Sequence, residues 1–132
     1  MSTPIPAAAA ALFTGKALAS LATVGPTGQP LVTPVWIDRD GDKILVNSAK
    51  GRVKNRNMVK GAKVALCIMD PANPYRYLGV QGVVVEATTR GADEHIDKLS
   101  LRYLGKAKYP NRQPGEVREL FVIEPTHVKL QG

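Results

Sequence analysis

Between Ala17 and Leu130 the chain is cut into short apolar stretches by tight glycine- and proline-bearing turns. Strands joined by turns of about five residues have to run antiparallel, because a parallel pair needs a long crossover. Alternation and turn signals predict strands over Ala17–Val24, Pro30–Asp38, Lys43–Asn47, Lys63–Asp70, Arg76–Thr88, Val117–Glu124 and Thr126–Leu130. The turns between them are Gly25–Gln29, Asp38–Asp42 and Pro71–Pro74, and Gly79 and Gly82 invite a bulge or a bend in the longest strand. Helices are expected over Ala7–Lys16, Arg52–Lys60 and Ala92–Leu104, the last with Ile96, Leu99 and Tyr103 on one apolar stripe. Gly105–Gly115 reads as a basic, proline-bearing loop. Six or seven short antiparallel strands with two or three peripheral helices predict a mainly β protein, a closed or nearly closed barrel.

At 132 residues the chain is expected to be one domain, residues 1–132, with a core that is chiefly aliphatic because aromatics are scarce. No apolar run approaches the roughly 20 residues that span a bilayer, so no membrane association is expected. The start, Met1-Ser2-Thr3-Pro4-Ile5-Pro6, lacks a basic n-region and predicts no secretory signal. The lone Cys67 reads as a small buried core residue in a reducing cytoplasm. His95 and His127 lie too far apart for metal-ligand spacing, so no metal site is expected.

The charge is unevenly placed. Eighteen Lys and Arg against eleven Asp and Glu leave a net +7, and the stretch from Lys43 to Met69 holds seven bases and no acid. Its densest part, Asn47 to Asn57, follows the apolar Ile44-Leu45-Val46. A strand therefore leads into a turn with a hydroxyl and a glycine, then into a basic helix. That order gathers backbone N–H groups and cations as a phosphate requires. Ser48 offers a hydroxyl, Gly51 lets the backbone approach an anion, and Lys50, Arg52 and Lys54 cluster at the helix start. Arg52, Arg56 and Lys60 fall on one side of a regular helix. The competing reading is a solvated basic face. Nucleic acid is a poor fit, since no aromatics interleave with the bases and no recognised motif accompanies them.

Pro34 interrupts the strand Leu31–Ile37 and marks an edge whose free backbone groups suit a flat heterocycle, or an ordinary edge strand. Pro34 and Trp36 share one face, Thr33 and Val35 the other. Trp36 serves either packing or stacking, and Arg118 is either a charge on a buried face or the end of a pocket. Tyr75-Arg76-Tyr77 suits a ligand cover or a subunit interface. Asp93, Glu94 and Asp97 read as solvated carboxylates of one helix. No Ser/His/Asp pattern, Walker loop or dinucleotide fingerprint is present, so no catalytic side chain is assigned, and any redox chemistry would belong to a cofactor.

Two segments, Leu21–Val24 through Gly28–Trp36 and Gly51-Arg52-Val53-Lys54-Asn55-Arg56-Asn57, together resemble the pyridoxamine-phosphate-oxidase-like, FMN-binding split β-barrel superfamily. The closing Arg118–Val128 is similar to its branch that uses the deazaflavin coenzyme F420. The resemblance implies a cytoplasmic homodimer of split barrels with a cofactor in each cleft between subunits. It places the ring system along Val32, Thr33, Pro34 and Val35. It gives the phosphate to Ser48, Ala49, Lys50, Arg52 and Lys54, with Asn57 in support, and has Tyr75, Arg76 and Tyr77 reach across from the partner. The activity implied is hydride transfer from reduced F420 to a small unsaturated organic acceptor such as an enone, quinone or tetrapyrrole. FMN on the same fold and a non-catalytic F420- or tetrapyrrole-binding protein are the alternatives. The basic run departs from the Asn-Tyr-x-Ser-Arg-Lys pattern of the oxidases that make pyridoxal phosphate, and their longer C-terminal extension is not present here, so that activity is not expected.

Overall fold

The computed structural model describes residues 2–132. Seven strands form one antiparallel sheet: β1 (Leu18–Val24), β2 (Pro30–Trp36), β3 (Asp38–Asp40), β4 (Lys43–Ala49), β5 (Lys63–Asp70), β6 (Asn73–Thr88) and β7 (Arg118–Gln131). Their order is β2-β1-β5-β6-β7-β4-β3, so β2 and β3, consecutive in the chain, are the two ends of the sheet. The sheet curls into a half-barrel, with the fully buried Ile37 alone separating its end strands. A 3-10 helix (Ala7–Phe13), α1 (Val53–Asn57) and α2 (Ala92–Leu104) lie at the periphery.

Alternation decides which side of each strand is inward. In β1, Ala19, Leu21 and Thr23 are buried while Leu18, Ser20 and Val24 are exposed. Leu66, Ile68, Leu78, Val46, Phe121 and Ile123 join Ala19 and Leu21 in the main, largely aliphatic core. Burying side chains of this size contributes about 1.5–3 kcal/mol each. A second, smaller cluster of Ile96, Leu99 and Tyr103 seats α2 against Trp36 and Tyr109. The Trp36 and Tyr103 rings stack at 4.9 Å and 5°, and Tyr109 meets Trp36 edge-on at 5.9 Å.

Several boundaries differ from the sequence expectation, each for a local reason. The final two strands are one: β7 runs through Pro125, with Thr126 as the extra residue of a bulge in β7 between the pairs Gln81–His127 and Gly82–Pro125. Gly82 is required there, since a Cβ would lie 2.7 Å from the Glu124 carbonyl oxygen. The second strand stops at Trp36, and Asp38–Asp40 turns back to pair with β4 instead of serving only as a turn. The alanine-rich start makes a 3-10 helix, Ala7–Phe13, rather than reaching Lys16. The basic helix has only five residues, because Met58 leaves the helical conformation and is fully buried. Cys67 is half-buried on the outer face of β5, since the inward positions are taken by Leu66 and Ile68. Among the described residues no helix is long and apolar enough to cross a membrane.

Candidate functional site

β4 delivers the chain to the cationic turn. Ile44, Val46 and Ser48 face the core, which leaves Leu45, Asn47 and Ala49 on the opposite face, paired across to Val122, Leu120 and Arg118 of β7. α2 packs over this outer face. Past Ala49 the turn is made possible by Gly51 at φ +102°, and Arg52 stays extended as the residue capping α1. With little more than one turn of helix, α1 has a small dipole, so the side-chain cations carry the attraction for an anion.

These elements and the open edge of β2 enclose a cleft of about 290 Å³. Leu18, Pro34, Val35, Trp36 and Ile96 form its apolar wall, and Arg52, Lys54 and Arg118 its cationic end, joined by Asn47 and Tyr109. No carboxylate lines it. β2 pairs with β1 alone, so Pro34 sits on an edge strand where a missing N–H is tolerated. Arg118 is 4% exposed and its guanidinium lies 5.2 Å over the Tyr109 ring. Its Nη1 is 3.4 Å from Glu116 Oε2, within ion-pair distance, yet the geometry leaves both atoms without a hydrogen bond. Burial pushes the Lys54 ammonium below its ordinary pKa, and repulsion from Arg52 and Arg118 adds to it. Burial lowers Arg118 as well, with Glu116 and Tyr109 acting in the opposite sense. Crowded cations, one a buried guanidinium whose contact with Glu116 falls short of a hydrogen bond, fit an anionic or carbonyl-rich ligand.

A polar relay runs inward from the cleft. Arg118 Nε donates to Asn47 Oδ1 at 2.9 Å, and Asn47 Nδ2 donates to the Ala92 carbonyl at 2.8 Å and meets His95 Nδ1 at 3.2 Å. His95 Nε2 is 3.0 Å from Asp38 Oδ2, which also accepts from Lys98 Nζ at 3.2 Å. Arg102 Nη1 stands 3.4 Å from Asp38 Oδ1. Desolvation raises the Asp38 pKa, but hydrogen bonds from His95, the Arg39 backbone and Lys98 outweigh it and hold the carboxyl well below the usual carboxylate range.

Of the expected phosphate and ring residues, Pro34, Val35, Arg52 and Lys54 meet in the cleft. Val32 stands further along β2, 63% exposed, and Thr33 keeps a buried hydroxyl without a partner. Ser48 and Ala49 are buried behind the wall, the Ser48 hydroxyl also unpartnered, while Lys50 is exposed and donates its backbone N–H to Val117. Asn57 donates to Thr23 Oγ1 at 3.1 Å and so ties α1 to β1. Tyr75, Arg76 and Tyr77 lie near the start of β6, away from the cleft; Arg76 pairs with Asp70 and with the Ala8 carbonyl. The stripe of Arg52, Arg56 and Lys60 does not form, because α1 ends at Asn57 and Arg56 folds back onto the Gly51 carbonyl at 2.9 Å. Trp36 and Arg118, each left between two readings, both line the cleft. Asp97 is not solvated: it accepts from the Tyr109 N–H at 2.8 Å and from Arg112 at 3.0 Å, fixing the loop that carries Tyr109. Tyr109 had no sequence signal, being one aromatic in an irregular loop. Asn47 was visible only as the last residue of a strand, at the head of the basic stretch.

A half-barrel whose open edge strand borders a cationic, apolar-walled cleft places the chain among split-barrel proteins with an anion-suited cleft at a sheet edge. The family model described as pyridoxamine 5'-phosphate oxidase matches residues 5–132, and the chain belongs to that family. A solved structure titled F420 Reductase is 31% identical, with a TM-score of 0.80, covering 95% of this chain and 98% of its own. The Group A Streptococcus protein HupZ is 20% identical with a TM-score of 0.68, over 96% of this chain and 93% of that one. A FAD and heme binding protein from Mycobacterium smegmatis is 17% identical with a TM-score of 0.63, over 91% and 66%. The last two likenesses concern the fold alone. No curated protein matches the sequence.

Proposed function

We propose that the chain is an F420-dependent oxidoreductase that binds the deazaflavin in this cleft, at the seam between two copies, and reduces an unsaturated organic acceptor. The observation that carries the reading is the cleft itself: three cations, one a buried guanidinium ion-paired to Glu116 yet short of a hydrogen bond there, at the end of an apolar trough beside an open strand edge. The 31% identity to a protein titled F420 Reductase supports the same cofactor. Arg52 and Lys54 would hold its phosphate, the β2 edge around Val32–Val35 would meet the ring, and Trp36 with Leu18 would keep water from one side. The deazaflavin, when bound, supplies the hydride; the chain contributes binding, orientation and a dry wall.

A second copy has a surface to use. On the outer side of β1, β5 and β6, Ala22, Ala65, Cys67, Gly79 and Val83 are half-buried, and Val24, Met69 and Tyr75 are exposed. Small side chains let two sheets approach closely, and this would bring Tyr75, Arg76 and Tyr77 of one copy toward the other. Separate titrations with F420 and with FMN, read by fluorescence quenching, test the cofactor. Saturable low-micromolar binding of F420 is expected; a yellow protein that retains FMN and ignores F420 would replace this reading with the FMN one.

A further inference from the structure

The groups behind the cleft form a hydrogen-bond chain whose direction is fixed at both ends. A guanidinium only donates and a peptide carbonyl only accepts. Arg118 Nε therefore requires Asn47 Oδ1 as acceptor, and the Ala92 carbonyl requires Asn47 Nδ2 as donor. The second Nδ2 hydrogen points to His95 Nδ1, which has to present a lone pair. The ring proton then resides on Nε2 and is donated to the Asp38 carboxylate. His95 is 9% exposed, so water does not readily substitute for these partners.

We propose that His95 is a positioning residue: held as its Nε2–H tautomer by Asp38, it locks the Asn47 amide in the orientation that presents the Arg118 guanidinium to the cleft. Asp38 has Lys98 and Arg102 besides His95, so its charge does not depend on the imidazole alone. On its donor side the Asn47 amide has only the Ala92 carbonyl and the His95 ring nitrogen to hold it, and on its acceptor side Arg118, whose Nε has no other hydrogen-bonded anchor. An arginine released from that anchor regains its rotamer freedom and its nearby alternative, Glu116.

The tautomer is measured directly on the intact wild-type protein by [15N]histidine NMR at neutral pH. A proton on Nε2 with an unprotonated Nδ1 is expected; an Nδ1–H tautomer or an imidazolium at this residue overturns the proposal. Two variants separate positioning from simple support. His95→Asn keeps an acceptor near Asn47 but gives up Asp38, whereas His95→Leu loses both. The Arg118 Nε–H should exchange with solvent about tenfold faster in His95→Leu and at nearly the wild-type rate in His95→Asn. Unchanged exchange in a folded His95→Leu overturns the relay. Should that variant fail to fold, the wild-type tautomer still decides.

The ligand arm rests on the cofactor reading above. F420 affinity should fall about tenfold in His95→Leu and recover in His95→Asn, and equal loss in both variants would reduce His95 to a packing residue. Failure of wild-type protein to bind F420 would count against the cofactor reading, with the two NMR measurements still deciding the relay.

Discussion

At the scale of single residues, the cleft holds its cations at some cost. Lys54 is partly buried against Arg52 and Arg118, and its lowered pKa means the folded state disfavours the proton it carries. That penalty is complete below the folded pKa, fades as pH rises from there toward the ordinary lysine value, and is gone above it. Lys54→Met should therefore raise the stability of the ligand-free protein slightly, by less than about 1 kcal/mol, while weakening F420 binding about tenfold. Paired thermal melts and titrations check both signs; a loss of stability would mark Lys54 as structural. Asp38 is the opposite case. Its folded pKa is depressed, so its contribution is complete above the ordinary carboxylate value and is lost as pH falls toward the folded one. Asp38→Asn should flatten the acid limb of a stability-versus-pH curve, and an unchanged acid limb would show that other carboxylates dominate it.

At the scale of elements, the positions that matter are those where one strand makes room for another. Gly82 is legible in the sequence as the place of an irregularity, but the bulged residue, Thr126, lies on its partner strand. Gly82 pairs with Pro125 beside that bulge, and a methyl group there would sit 2.7 Å from the Glu124 carbonyl oxygen and 2.9 Å from Ile123 Cγ2. Gly82→Ala should cost about 1–3 kcal/mol, measured as a shifted denaturation midpoint; a neutral result would mean that β7 slides freely past the bulge. α2 was readable from its stripe, although the job of its last turn was not. The Tyr103 hydroxyl accepts from Ile37 N–H at 3.0 Å and donates to the Ala17 carbonyl, holding β2 and the start of β1 where they meet the cleft. Tyr103→Phe leaves a buried N–H unpaired and should cost about 1–3 kcal/mol, with proton exchange at Ile37 accelerated relative to its neighbours.

At the scale of the whole molecule, the outer sheet face and the cleft are expected to depend on each other. Ala65→Arg places a charge among the half-buried Ala22, Cys67 and Gly79 without touching the core. Light scattering should then report a monomer, and F420 affinity should fall because Tyr75, Arg76 and Tyr77 would no longer reach a neighbouring cleft. A variant that stays monomeric with full affinity would confine the site to one chain.

What the sequence determined by itself was local. Strand periodicity, the five-residue turns, the apolar stripe of α2 and the cationic run between Lys43 and Met69 are each written in neighbouring residues, and they sufficed for an antiparallel barrel with a basic turn at the end of a strand. The tertiary structure alone decided which cations share a cavity. Arg118 reaches Lys54 and Arg52 only because β7 pairs with β4, Tyr109 arrives on a loop pinned by Asp97, and Asp38, His95 and Asn47 come from three separate elements. Such meetings depend on sheet order and on the closing of long loops, and no periodicity within one segment encodes them.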